Sequence, residues 1–164
     1  MKNYTSSVED SATNNTDKRF ANSSIEHARL LTEELIKSAN SEVCILTDSF
    51  QDKFYNSVKP TLINFLDKSD TKLKVITTNQ DSDTLNYLMT KYPAKVSKKL
   101  INKDSLPKDK DSNESINYLF NDTNGFRYEY SDKNIDDGIV EAIANFNSKK
   151  EREYLKNNFD NMFK

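Results

Sequence analysis

Side chains suited to chemistry are few and scattered in this sequence. One histidine, His27, and one cysteine, Cys44, are present, which excludes a zinc site of ordinary type. His27 falls one or two positions off the apolar stripe of a helical segment and reads as a surface or edge residue. No nucleophile pairs with it for Ser/His/Asp chemistry. Cys44 lies inside the apolar run Glu42-Val43-Cys44-Ile45-Leu46-Thr47 and reads as a buried, inert thiol. Gly125 and Gly138 are the only glycines, so there is no Gly-rich phosphate loop. Asp81, Asp83, Asp136 and Asp137 read as residues at helix starts, where the helix dipole favours a carboxylate. What remains is a set of small polar residues after two strand-like runs, Thr47-Asp48-Ser49 and Thr77-Thr78-Asn79. In an open parallel sheet ligands collect at the carboxyl ends of strands. These groups have the chemistry to hydrogen-bond a small polar ligand, or to act as caps and turn formers. Arg127 and Glu129 alternate with aromatics, so they share one face of a strand and either pair with each other or face a ligand.

The elements that must position them are legible in outline. Residues 1–22 are polar and without periodicity, and read as a disordered arm before a domain at 23–164. A capping box at Ser23–Glu26 opens a helix whose inner face is Ile25, Ala28, Leu31, Leu35 and Ala39. Glu42–Thr47 reads as a buried strand. Ser49 or Asp52 starts the next helix, with a kink or break expected at Pro60. Lys72–Thr77 is a second strand and Lys95–Ile101 a third. Between them Asp81 or Ser82 caps a short helix that Pro93 ends. This alternation argues for parallel pairing with right-handed crossovers. The stretch 102–114 is a polar loop of mixed charge.

Ser115–Asn121 and Phe126–Tyr130 read as two strands joined by the turn Asp122-Thr123-Asn124-Gly125. Ile135, Ile139, Ala142, Ile143 and Phe146 suggest a helix. Ser148 opens a last helix with an aromatic face of Tyr154, Leu155, Phe159, Met162 and Phe163.

The 164 residues suit one domain with a modest core. Net charge is −2, which provides no basic field for general nucleic-acid binding. The single cysteine fits a reducing compartment, the polar N-terminus does not read as a secretory leader, and no apolar run is long enough to span a membrane. A cytoplasmic location follows as the expectation.

The hairpin at 115–130, the segment after it and the aromatic C-terminal helix together resemble a phospholipase D-like domain, over roughly residues 24–163. Active members of that superfamily carry a His, a Lys two residues later and an Asp five residues after the Lys. That frame falls on Ser115, Asn117 and Asp122, so the Asp is present and the His and Lys are absent. The resemblance implies an α/β fold with a mixed, mostly parallel sheet flanked by helices, and a homodimer, since two motif copies normally face each other. It implies no enzyme, no cofactor and no metal, but a sensor, regulatory or assembly module of a bacterial cytoplasm, with a protein or a small polar ligand as partner. The alternatives are a phosphodiesterase or nuclease-type hydrolase with an atypical site, and a nucleic-acid-binding module.

Overall fold

A computed structural model describes residues 2–111, 113–130 and 141–164. Among the described residues seven strands form one sheet in the order β1-β7-β6-β5-β2-β3-β4. They are β1 (Arg19–Asn22), β2 (Glu42–Thr47), β3 (Lys72–Thr77), β4 (Val96–Leu100), β5 (Asn117–Asn121), β6 (Phe126–Glu129) and β7 (Ala142–Asn145). The described helices are α1 (Lys2–Asn14), α2 (Ile25–Lys37), α3 (Asp52–Leu66), α4 (Asp83–Lys91) and α5 (Lys149–Phe163).

The strand alternation decides the layers. On β2, Val43 and Ile45 join a core cluster with Leu31, Leu35, Val58, Leu62, Leu85 and Leu88, so α2, α3 and α4 cover that face. Cys44 and Leu46 point to the other face and pack with Tyr118, Phe120, Leu155 and Phe159, so α5 covers it. Both of these strand faces are buried, which is why β2 reads as a continuous apolar run.

The mostly parallel sheet expected from the sequence is not what forms. Only β2–β3 and β3–β4 are parallel, while β2–β5, β5–β6, β6–β7 and β7–β1 are antiparallel. The helical crossovers account for the parallel half. The other half is built from the hairpin and from two strands that were not anticipated. One is β7, in the segment read as a helix; the earlier part of that reading, 131–140, lies outside the described residues. Ala142-Ile143-Ala144-Asn145 fits either period, and pairing with β6 decides it.

The other is β1, in the stretch read as a disordered arm. That stretch instead forms α1 and β1. Tyr4, Val8, Ser11 and Ala12 recur at helical spacing, and Val8, Ser11 and Phe20 are buried. Burying Val8 and Phe20 contributes about 2 kcal/mol each, which helps offset the poor helix propensity of a Ser- and Asn-rich segment. β1 then pairs antiparallel with β7, Phe20 opposite Ala144.

Smaller differences have local causes. Ser24, not Ser23, caps α2, accepting from the His27 N–H. α3 continues through Pro60, whose ring lies on an exposed position. Its missing donor would have served the carbonyl of Asn56, itself exposed to water.

Candidate functional site

The registry of the hairpin places Arg127 opposite Leu119 and Glu129 opposite Asn117. Leu119 belongs to the face covered by α2 and α3, so Asn117, Arg127 and Glu129 share that face by alternation. There they line a cleft of about 50 Å3 together with Thr47, residues Ile25, Ala28 and Thr32 of α2, and Gln51, Phe54 and Tyr55 at the start of α3. The first turns of two helices thus meet at one end of β5.

Arg127 is the most unusual group in the cleft. Its residue exposure is 8%. Nη1 donates to Glu129 Oε2 at 2.9 Å, and Nε makes a long contact of 3.4 Å with Asn22 Oδ1. Nη2 is buried and has no hydrogen-bond partner among the described residues. A buried donor left unpaired costs about 1–3 kcal/mol, more when charged, so such a group calls for an explanation. The guanidinium field reaches Tyr4 as well: burial pushes that phenol's pKa up, and Arg127 pulls the other way.

Asn117 is held to one purpose. Its Oδ1 accepts from the Asp48 N–H at 2.8 Å, tying the end of β2 to β5. Thr77 Oγ1 donates to the Asp48 carbonyl at 3.0 Å. The Thr78 hydroxyl lies 2.6 Å from that carbonyl and 2.7 Å from Asp48 Oδ1, donating to one at a time. Asn79 Nδ2 donates to the Ser49 carbonyl at 2.7 Å, and Lys103 approaches Asp48 Oδ2 at 3.5 Å. Of the two strand-end triplets, only Thr47 lines the cleft; Asp48, Ser49, Thr77, Thr78 and Asn79 bind each other and fix the loops behind it.

The other frame positions separate. Ser115 precedes β5 and is half-buried beside an isolated bridge to Lys108. Asp122 lies at the far end of β5, about 17 Å along the strand from Asn117. There its carboxylate accepts from the N–H groups of Asn40 and Ser41 and from the Ser41 hydroxyl, at 2.8–3.0 Å. His27 stacks on Tyr4 with ring centroids 3.8 Å apart and is not among the cleft residues. Cys44 is buried, and burial pushes its thiol far up, as expected for an inert group.

Sequence reasoning missed Asn22, Gln51, Phe54 and Tyr55 as neighbours of Arg127. Asn22 sat in the supposed arm, Phe54 fitted the inner face of the helix after Ser49, and Gln51 and Tyr55 carried no signal of their own. A larger groove, about 340 Å3, runs beside α5 and is lined mainly by Phe126, Tyr128, Ile143, Tyr154 and Leu155. Tyr154 on its rim is 65% exposed. Among the described residues no group of His, Cys, Asp or Glu is arranged to hold a metal ion, and no helix is long and apolar enough to cross a membrane.

No family model matches this chain, and no curated protein matches it by sequence. Solved structures do match. TrmBL2, an archaeal chromatin protein described as showing a novel mode of DNA binding, aligns with TM-score 0.64 and 14% identity. The alignment covers 90% of this chain but 53% of that one, so the chain spans about half the length of TrmBL2. NucT from Helicobacter pylori, a nuclease of the phospholipase D family, aligns with TM-score 0.61 and 16% identity, covering 90% of this chain and 96% of NucT. The fold is therefore phospholipase D-like, an α/β architecture on a mixed sheet.

The comparison with NucT corrects the expectation of a non-enzyme. This fold, over nearly the full length of NucT, is the fold of a nuclease.

Proposed function

We propose that this chain is a nucleic-acid-binding domain of phospholipase D-like fold that holds a phosphate group in the cleft between α2, α3 and the β5–β6 hairpin. One observation carries the reading: Arg127, a buried guanidinium with its Nη2 unpaired among the described residues, lines the same cleft as the starts of two helices, Ile25 of α2 and Gln51 before α3. Guanidinium is the side chain best matched to phosphate oxygens, and helix N-termini favour anions. That one structural neighbour is a DNA-binding chromatin protein and another a nuclease supports nucleic acid as the ligand class. The net charge of −2 confines the attraction to this local site. Binding should therefore have a shallow salt dependence, a slope of about one or two phosphates against the steep slopes of basic DNA-binding proteins. Fluorescence anisotropy with labelled single-stranded and duplex DNA and RNA between 50 and 200 mM salt tests this. No binding of any strand at the lower salt would sink the proposal.

The likeness to NucT favours a second reading, phosphodiester hydrolysis at an atypical site. With no imidazole or ammonium in the motif frame, the attacking group that position offers is the Ser115 hydroxyl, which lies outside the cleft lining and would form a phosphoserine as the P–O bond to the departing strand breaks, the serine proton passing to that departing oxygen. Cleavage of an end-labelled strand by the native chain, lost in Ser115→Ala and kept in His27→Ala, would establish it. An intact strand after prolonged incubation with divalent cations would dismiss it.

A further inference from the structure

We infer that the cleft takes the terminal phosphomonoester of a strand or nucleotide, entering end-on, with the Arg127 guanidinium as its principal donor. The inference rests on the nucleic-acid reading and narrows it to one kind of phosphate.

Three observations converge. First, the donor is enclosed. Arg127 is 8% exposed, and the cleft it lines is about 50 Å3, where one water occupies about 10–15 Å3 by a comparable measure. An oxyanion group fits such a space. An internal phosphodiester continues as chain on both sides and needs a trough open at both ends to reach a donor this deep. A terminal phosphate is tethered on one side only.

Second, the electrostatics suit a highly charged end. Glu129 already takes Nη1 at 2.9 Å, so the ion pair alone leaves little net attraction. The starts of α2 and α3, through Ile25 and Gln51, both border the cleft, and each helix N-terminus carries about half a positive charge. A phosphomonoester brings about −1.5 to −2 charge near neutral pH and three acceptor oxygens. A diester brings a single charge and fewer free oxygens.

Third, the rim can receive what the phosphate is attached to. Phe54 is half-buried at the cleft and meets Tyr55 edge-on at 5.2 Å. Tyr55 is itself stacked on the buried Phe50 at 3.8 Å. An aromatic side chain braced in this way is a platform for a terminal base or sugar.

The test uses the full chain and one short strand made in three forms: with a 5′-phosphate, with a 3′-phosphate and with hydroxyl ends only. AMP and inorganic phosphate serve as free probes and acetate as the control anion. Affinity is read by calorimetry at physiological salt. At least one phosphate-ended form should bind tenfold or more tighter than the hydroxyl-ended strand. Inorganic phosphate should compete where acetate does not, and Arg127→Gln should erase the preference. Should that variant unfold, Gln51→Glu serves instead. It puts a carboxylate at the start of α3, where the dipole favours it for folding, and should weaken the phosphate-ended strand at least threefold more than the hydroxyl-ended one. Equal binding of all three strands overturns the end-on inference and leaves the nucleic-acid reading standing. AMP bound through Arg127 with no strand bound does the reverse. Competition by acetate as strong as by phosphate overturns the assignment of a phosphate ligand.

Discussion

The two ends of β5 each carry a buried asparagine on the same face of the sheet, Asn117 and Asn121, under opposite conditions. At the Asn121 end the polar groups close on one another. Asn121 Nδ2 donates to the Leu35 carbonyl at 2.8 Å, and its Oδ1 accepts from the N–H groups of Thr123 at 3.0 Å and Gly125 at 2.8 Å. Asp122 closes on Asn40 and Ser41. Asn124 takes the left-handed conformation at φ 68° that the turn requires. Beside it a Cβ on Gly125 would come within 2.7 Å of Leu35 Cδ2. At the Asn117 end, by contrast, the neighbouring guanidinium keeps a buried nitrogen unpaired. The same strand thus has a saturated end and an unsaturated one. Saturation marks structure, because every donor lost there is repaid only by destabilisation. An unsatisfied buried charge in a cleft marks a place where something else completes the shell.

Breaking each end separates the two roles. Arg127→Met leaves the Glu129 carboxylate buried without its guanidinium, and should cost about 3 kcal/mol in urea unfolding together with ligand affinity. The double change Arg127→Met with Glu129→Leu should recover most of that stability, since an apolar pair replaces an ion pair, yet stay unable to bind. If the double variant binds phosphate as the native chain does, the unsaturated end is not the site. At the saturated end Asn121→Ala should cost about 2 kcal/mol through the donors it strands and leave affinity unchanged, measured on the same ligands.

A smaller effect sharpens the comparison at the α3 edge of the cleft. Burial pushes the Asp52 carboxyl up, but bonds from the Ser82 hydroxyl and from the Thr84 and Asp83 N–H groups outweigh it and hold its pKa below 3.8. The folded value is the lower one. Its stabilisation is therefore complete above the unfolded value of 3.8 and is lost as pH falls through the folded value. Asp52→Asn should flatten the acid limb of the stability profile between about pH 5 and 2 without altering binding at neutral pH. An unchanged acid limb would show that Asp52 does not carry this capping role.

Much of the fold could be read from residue order. The periodicity of α2 through β4 follows from apolar spacing, and the hairpin from its Asn-Gly turn between two aromatic runs. The Arg127–Glu129 pair was legible too, because alternation alone puts both side chains on one face of β6, and they meet at 2.9 Å. The aromatic stripe of α5 was core where Leu155 and Phe159 lie, but Tyr154 turns outward.

What sequence alone determined about this protein is therefore local: which segments are amphipathic, where they begin and end, and which side chains share a face. The tertiary structure alone decided the rest. The polar start of the chain became α1 and β1 only because β7 offered an open edge and α2 an apolar face. Ala142–Asn145 became a strand only because β6 lay beside it. The cleft exists because α2, α3, β1 and β6, far apart in the chain, bring Ile25, Gln51, Asn22 and Arg127 together. Pairing energies between distant segments are invisible to a window of neighbouring residues, and so is the one consequence that matters most here, a buried charge with a nitrogen left over.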